Sequence, residues 1–199
     1  MRSVPKTGDA FAEALVRVRA VVIRPEFRLD EAPAPSRLAP SALALTAESA
    51  DPGSDRASGR FVLLHDPDGV DEWAGTFRAV VFVRAALEHD LIGDPLLNEV
   101  GWSWLVESLA GAGAECTQAG GTVTCSDGQS FGSMADRPAD SFVEIRASWT
   151  PITTDGTPVE LGMDRHVEAW IDLLAHATGL MPMPHGISQV SAPRRRERG

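Results

Sequence analysis

The stretch Gly75 to Leu87, GTFRAVVFVRAAL, sets Phe77, Ala79, Val81, Val83, Ala85 and Leu87 on one face of an extended chain, because strand side chains alternate. Arg78, Val80, Phe82 and Arg84 form the other face, half apolar and half arginine. A strand with apolar residues on both faces reads as central and partly covered on each side. Upstream, Arg60 to His65 is a compact apolar run and Ser41 to Glu48 alternates weakly, so both read as strands. The loop Ser49 to Gly59 between them, rich in Gly, Ser and Asp, is expected to be mobile, and Asp66-Pro67-Asp68-Gly69 to form the turn into the long strand.

Downstream, Asp94-Pro95 has the chemistry of a helix start, and the helix should run to about Ala110 with Leu97, Val100, Trp104 and Leu105 inward. Gly111 and Gly113 supply its stop. Trp102 lies off that face and must be met by another element or by a partner, which makes it a candidate partner-binding residue.

The same programme then recurs. Cys116 to Cys125 reads as a hairpin about Gly120-Gly121, and counting outward sets Cys116 opposite Cys125 in a non-hydrogen-bonded pair, close enough for a disulfide. A reducing compartment would keep both thiols free. Ser141 to Thr150 follows as a strand with Val143, Ile145, Ala147 and Trp149 on one face and Glu144, Arg146 and Ser148 on the other. A last helix from Asp164 to Gly179 buries Val167, Trp170, Ile171 and Leu174. Residues 41–112 and 114–179 thus form a pseudo-repeat of three strands and a helix.

Ahead of the repeat, Phe11, Leu15, Val18 and Val22 make the apolar stripe of a helix from Asp9 to Ile23, with Arg17, Arg19 and Arg24 on a solvated face. Pro25 to Pro40 cannot be a regular helix and reads as an ordered strap, extended at Glu26 to Leu29, whose Phe27, Leu29 and Leu38 need burial. The expected fold is α+β: a mainly antiparallel twisted sheet of about six strands with three helices on one face, in the order helix, strands, helix, strands, helix. One domain should span residues 1–185, followed by a disordered Arg-rich tail over 186–199.

Acidic residues number 28 against 18 basic, for a formal charge of -10, and such a surface repels nucleic acid and anionic lipid. No run of 18 apolar residues and no secretion signal is present, so a cytoplasmic protein with no membrane contact is expected. Asp66, Asp68, Asp71 and Glu72 crowd together, but glycine comes too early for an EF-hand loop. His166 and His176 point in different directions from one helix and cannot chelate one metal, and His65 and His89 read as solvated strand ends. Phosphate-loop and dinucleotide glycine patterns and the nucleophile elbow are missing, so no catalytic residue, cofactor or metal is expected. Arg78, Arg84, Glu144 and Arg146 remain as a polar floor that suits an anionic ligand, although such residues also make ordinary cross-strand pairs.

The runs RFVLLHDP (Arg60 to Pro67), WAGTFRAVVFVRAAL (Trp73 to Leu87), DPLLNEVGWSWLVESL (Asp94 to Leu109), EIRASWTP (Glu144 to Pro151) and HVEAWIDLL (His166 to Leu174) resemble an actinobacterial family, domain of unknown function 3000. The resemblance implies a single-domain bacterial cytoplasmic protein and carries no activity. The element order is also similar to that of the secretion-chaperone-like fold, whose members are small, acidic, dimeric and non-catalytic; the Pro-rich strap and the third strand of the second half depart from it. Together these readings favour a protein-binding adaptor or chaperone-like domain, with a protein partner or a homodimer. A small-molecule binder or enzyme using the polar sheet face is the alternative.

Overall fold

The computed structural model describes residues 7–51, 57–87, 91, 93–136 and 141–181. The centre of the expected mobile loop, His89, and the Arg-rich tail lie outside the described residues. Helix α1 (Thr7–Arg19) leads into β1 (Phe27–Ala32), β2 (Ser41–Ser49), β3 (Ala57–Val70) and β4 (Gly75–Ala86); then come α2 (Leu97–Gly111), β5 (Cys116–Ser126), β6 (Phe142–Pro151) and α3 (Met163–Ala177). The six strands form one sheet in the order β1-β2-β3-β4-β6-β5, and every neighbouring pair is antiparallel.

The α+β architecture with helix, strands, helix, strands, helix matches the reading of the sequence, and β4 lies in the interior of the sheet. The six strands arise differently from the expectation. The strap supplies one of them: Phe27 is 5% exposed, and β1 pairs with β2 from Phe27↔Ser49 to Ala32↔Ala44. The second half supplies two strands in place of three, because Cys116–Ser126 is a single strand. Gly120-Gly121 does not turn; it lies opposite Ser148 and Ala147 in β6. Turn-prone glycines lost to the ladder because β6 offers a long row of unpaired amides and carbonyls, whose pairing outweighs a local hairpin.

The turn before β4 also moves. β3 runs through Asp66-Pro67-Asp68-Gly69 to Val70, with an irregularity after His65, and the chain reverses at Asp71 to Ala74, where Ala74 takes φ 54°. The Asp66 carboxylate accepts from the Asp68 amide at 3.1 Å, so the acidic residues serve a bulge.

All three helices lie over one face. Helix α3 packs on β3, β4 and β6, α2 on β5 and β6, and α1 against α3. Beneath them Phe61, Leu63, Phe77, Ala79, Val83, Val143, Ile145 and Trp149 are at most 1% exposed, in one core that also holds Ala14, Val18, Leu105, Trp170 and Leu174. Two glycines permit the approach: a Cβ at Gly59 would stand 3.0 Å from the Trp170 ring, and one at Gly101 would stand 2.9 Å from Val123. Helix α2 buries Leu97, Gly101, Leu105, Ser108 and Leu109, so its inward face is rotated from the expected one and Val100 is 39% exposed. Helix α1 stops at Arg19, leaving Val22 92% exposed, and Leu38 is 62% exposed instead of buried. Helix α3 begins at Met163, one residue before Asp164, with Gly162 at the capping position.

Candidate functional site

Among the described residues α1, α2 and α3 lie over one face of the sheet, and the second face carries Arg78, Arg84, Glu144 and Arg146. Reading across the register, one row runs Asp30, Thr46, Arg60, Phe82, Arg146, Thr122, and the next runs Arg28, Glu48, Ser58, Arg84, Glu144, Thr124. Arg78 lies two residues beyond Val80 in the same strand. Five arginines thus share a face with three carboxylates, on a chain whose formal charge is -10.

The side chains on this face are organised. The Arg84 guanidinium stacks over the Phe142 ring at 3.4 Å, and Arg146 lies over Phe82 at 5.5 Å while its Nε donates to Glu144 Oε1 at 2.7 Å. Rings present a negative face to a cation, so each ring holds its arginine in place on this surface. Arg78 donates to Ser148 Oγ at 2.7 Å, to Thr150 Oγ1 at 3.0 Å and to the Gln118 carbonyl at 3.1 Å. Arg60 donates to the Pro33 carbonyl at 2.9 Å. These acceptors are neutral, so the bonds fix the guanidinium groups without cancelling their charge. Partial burial pulls the Arg78 guanidinium below its ordinary value, offset in part by nearby Cys116. Arg28 is bound at 3.0 Å to both Asp30 and Glu48.

Arg78, Arg84, Glu144 and Arg146 are therefore brought onto one surface, with Arg84 directly opposite Glu144. Trp102 is elsewhere: it is half-buried on α2, packed against the core. Cys116 and Cys125 are free thiols near the two ends of β5, opposite Pro151 and Val143, so the hairpin pairing drawn from the sequence is replaced by a separation of about 30 Å along one strand. Burial raises both thiols above their ordinary value, which keeps them protonated and weakly nucleophilic.

A second polar feature went unread in the sequence. His166 is 2% exposed, and its Nδ1 accepts the Trp149 indole N-H at 3.0 Å. Loss of hydration lowers its imidazole to about 4, with Arg165 acting in the same direction. It lines a recess of about 80 Å³ with Glu115, Thr153, Asp155, Thr157 and Arg165. His65 is also buried, between the rings of Phe11 at 5.7 Å and Phe77 at 4.3 Å, and burial lowers it against the pull of Asp66 and Glu160. Arg24, read as solvated, is buried: it forks onto both Glu26 oxygens and donates to the Met181 carbonyl at 3.0 Å. The Arg24-Pro25-Glu26 string contained the local half of that arrangement; Met181 is 157 residues away.

Among the described residues no group of three or more His, Cys, Asp or Glu side chains is placed to hold a metal ion, and no helix is long and apolar enough to cross a membrane. No curated protein and no solved structure has significant similarity to the chain. The family model described as protein of unknown function (DUF3000) matches residues 7–188, and the chain belongs to that family.

Proposed function

We propose that this is a non-catalytic binding domain whose open sheet face takes an acidic, extended segment of a protein partner. One observation carries the reading: among the described residues the three helices lie on one side, leaving an arginine-rich, ring-bearing surface that is exposed at Arg28, Arg60 and Arg146 and half-buried at Arg78 and Arg84, on an otherwise acidic molecule. Guanidinium groups held by neutral acceptors, as Arg60 and Arg78 are, keep their charge for a carboxylate, and those stacked on rings lose little side-chain freedom on binding. Val80, 36% exposed, and the half-buried Phe82 add apolar contact between the charges. The -10 body disfavours a polyphosphate chain, which carries denser charge than an acidic peptide.

The recess beside His166 is itself small for a ligand site. Its volume of about 80 Å³ is well below the roughly 300 Å³ at which ligand pockets begin. The test is fluorescence anisotropy with a labelled Glu- and Asp-rich peptide, compared with a single-stranded oligonucleotide of equal net charge. Binding of the peptide that is lost in the Arg84→Glu, Arg146→Glu double variant is expected. Equal binding by wild type and variant, or preference for the oligonucleotide, would refute the proposal.

A further inference from the structure

We infer that the outer edge of β5 is a self-association seam, through which two copies of this chain pair antiparallel about a two-fold axis at Gly121. The reasoning starts from what ends the sheet. β1 closes one side with only six residues, three of them charged: Arg28, Asp30 and Glu31. β5 closes the other side with 11 residues, CTQAGGTVTCS, without a charge or a proline. An edge of that length, spanning about 36 Å, is a ready template for another strand, and proteins that keep such an edge unpaired normally break it with charge or proline. From Gln118 to Thr122 the residues are exposed, and no strand or helix among the described residues pairs with the outer side.

The register identifies the occupant as a second copy. Against β6, Thr117 faces Thr150 and Gly120 faces Ser148, so three steps of β5 match two of β6, with the excess absorbed where Gln118 takes φ 52°. Carried across the outer edge, the same bulge pairs Gly121 with the partner's Gly121, Gly120 with the partner's Thr122, Thr117 with the partner's Thr124, and Cys116 with the partner's Cys125. Every pair then shares a face: Cys116, Gly121 and Cys125 lie on the helix side, as do Val143 and Ala147 opposite Cys125 and Gly121. Thr117, Gly120, Thr122 and Thr124 lie on the open side. The near-palindrome CTQAGGTVTC thus describes a match between chains, and a foreign strand would have no need of it.

Charge supports the same partner. Two bodies of charge -10 repel, yet the seam brings only neutral residues together. The carboxylates that flank it are turned inward: Glu115 accepts from the Thr154 amide at 2.8 Å and hydroxyl at 2.6 Å, and Asp127 accepts from Ser141 Oγ at 2.8 Å. Strand pairing alone buries less than the roughly 1,200 Å² of a stable interface, so the dimer is reversible, with a dissociation constant in the micromolar range or weaker.

The experiment uses the purified full-length chain. Sedimentation velocity under reducing conditions should show a dimer that grows with concentration. Diamide, which takes the two thiol hydrogens of each new bridge, is then added to Cys116→Ser, to Cys125→Ser and to their equimolar mixture. The mixture should give at least tenfold more covalent dimer than either variant alone, with the Cys116 peptide linked to the Cys125 peptide, because only a mixed pair sets one cysteine opposite the other. Thr122→Lys should weaken association at least tenfold with an unchanged thermal midpoint. A monomer at every concentration, equal cross-linking by Cys116→Ser alone, or an undiminished dimer in Thr122→Lys would overturn the seam. None of these results bears on the open face, so the two proposals can fail independently.

Discussion

The two faces of this sheet are built from the same strands and the same alternation, yet they end in opposite environments. On the helix side Phe61, Phe77 and Trp149 are at most 1% exposed; Phe61 and Trp149 meet Trp170 and His166 of α3, and Phe77 meets His65, which stacks on Phe11 of α1. On the other side Phe82 and Phe142 are partly exposed and are covered by arginines instead. Both faces carry aromatic residues, so hydrophobicity alone does not sort them. What sorts them is the number of apolar stripes available: three helices cover one layer, and α3, with ten buried residues, lies at the centre of it. The lesson is that a half-apolar strand face acquires its role from the supply of covering elements.

Substitution should expose the contrast sharply. Trp170→Ala on the helix side should cost about 3–5 kcal/mol in urea denaturation, since it removes a fully buried ring from the core beside Phe61 and Gly59. An effect under about 1 kcal/mol would mean that the covered face is not the stabilising one.

A pH titration probes the same face by a different route. His166 in the folded chain titrates at about 4, below the value near 6.5 of an unfolded histidine, so between those limits the unfolded state binds the extra proton. Stability contributed by the neutral imidazole is complete above pH about 6.5 and is lost as pH falls towards 4, by about 3 kcal/mol. His65, lowered by burial, acts in the same direction. His166→Gln should flatten that part of the curve, measured by denaturant midpoints at successive pH values.

The smallest expected change lies on the open side. Arg84→Ala should shift stability by no more than about 1 kcal/mol while weakening the acidic peptide, because a partly exposed cation stacked on a ring contributes little to folding. A loss comparable to that of Trp170→Ala would erase the contrast between the faces.

Much of the covered face was legible in the sequence. Phe77, Ala79, Val81, Val83 and Ala85 alternate strictly, and Val167, Trp170, Ile171 and Leu174 repeat at helical spacing, so local period named both the element and its buried side. The candidate residues Arg78, Arg84, Glu144 and Arg146 were also legible, because they sit at the alternate positions of those strands. His166 was not: its burial depends on Trp149 coming from another strand, a contact that no spacing along α3 encodes. Arg24 was read as solvated for the same reason, its third acceptor being Met181. Gly120-Gly121 carried a genuine turn signal, but a hairpin is a local option and β6 was a better partner.

The amino-acid order alone determined the element types, the antiparallel α+β class, the acidic character and the polar alternate face, since each follows from short-range periodicity or from composition. Tertiary structure decided which face the helices cover, that β5 is one long edge strand, and that His166 and Arg24 are buried. Those outcomes depend on competition among distant segments for the same hydrogen bonds and the same apolar surface, and such competition is resolved only when the whole chain has packed.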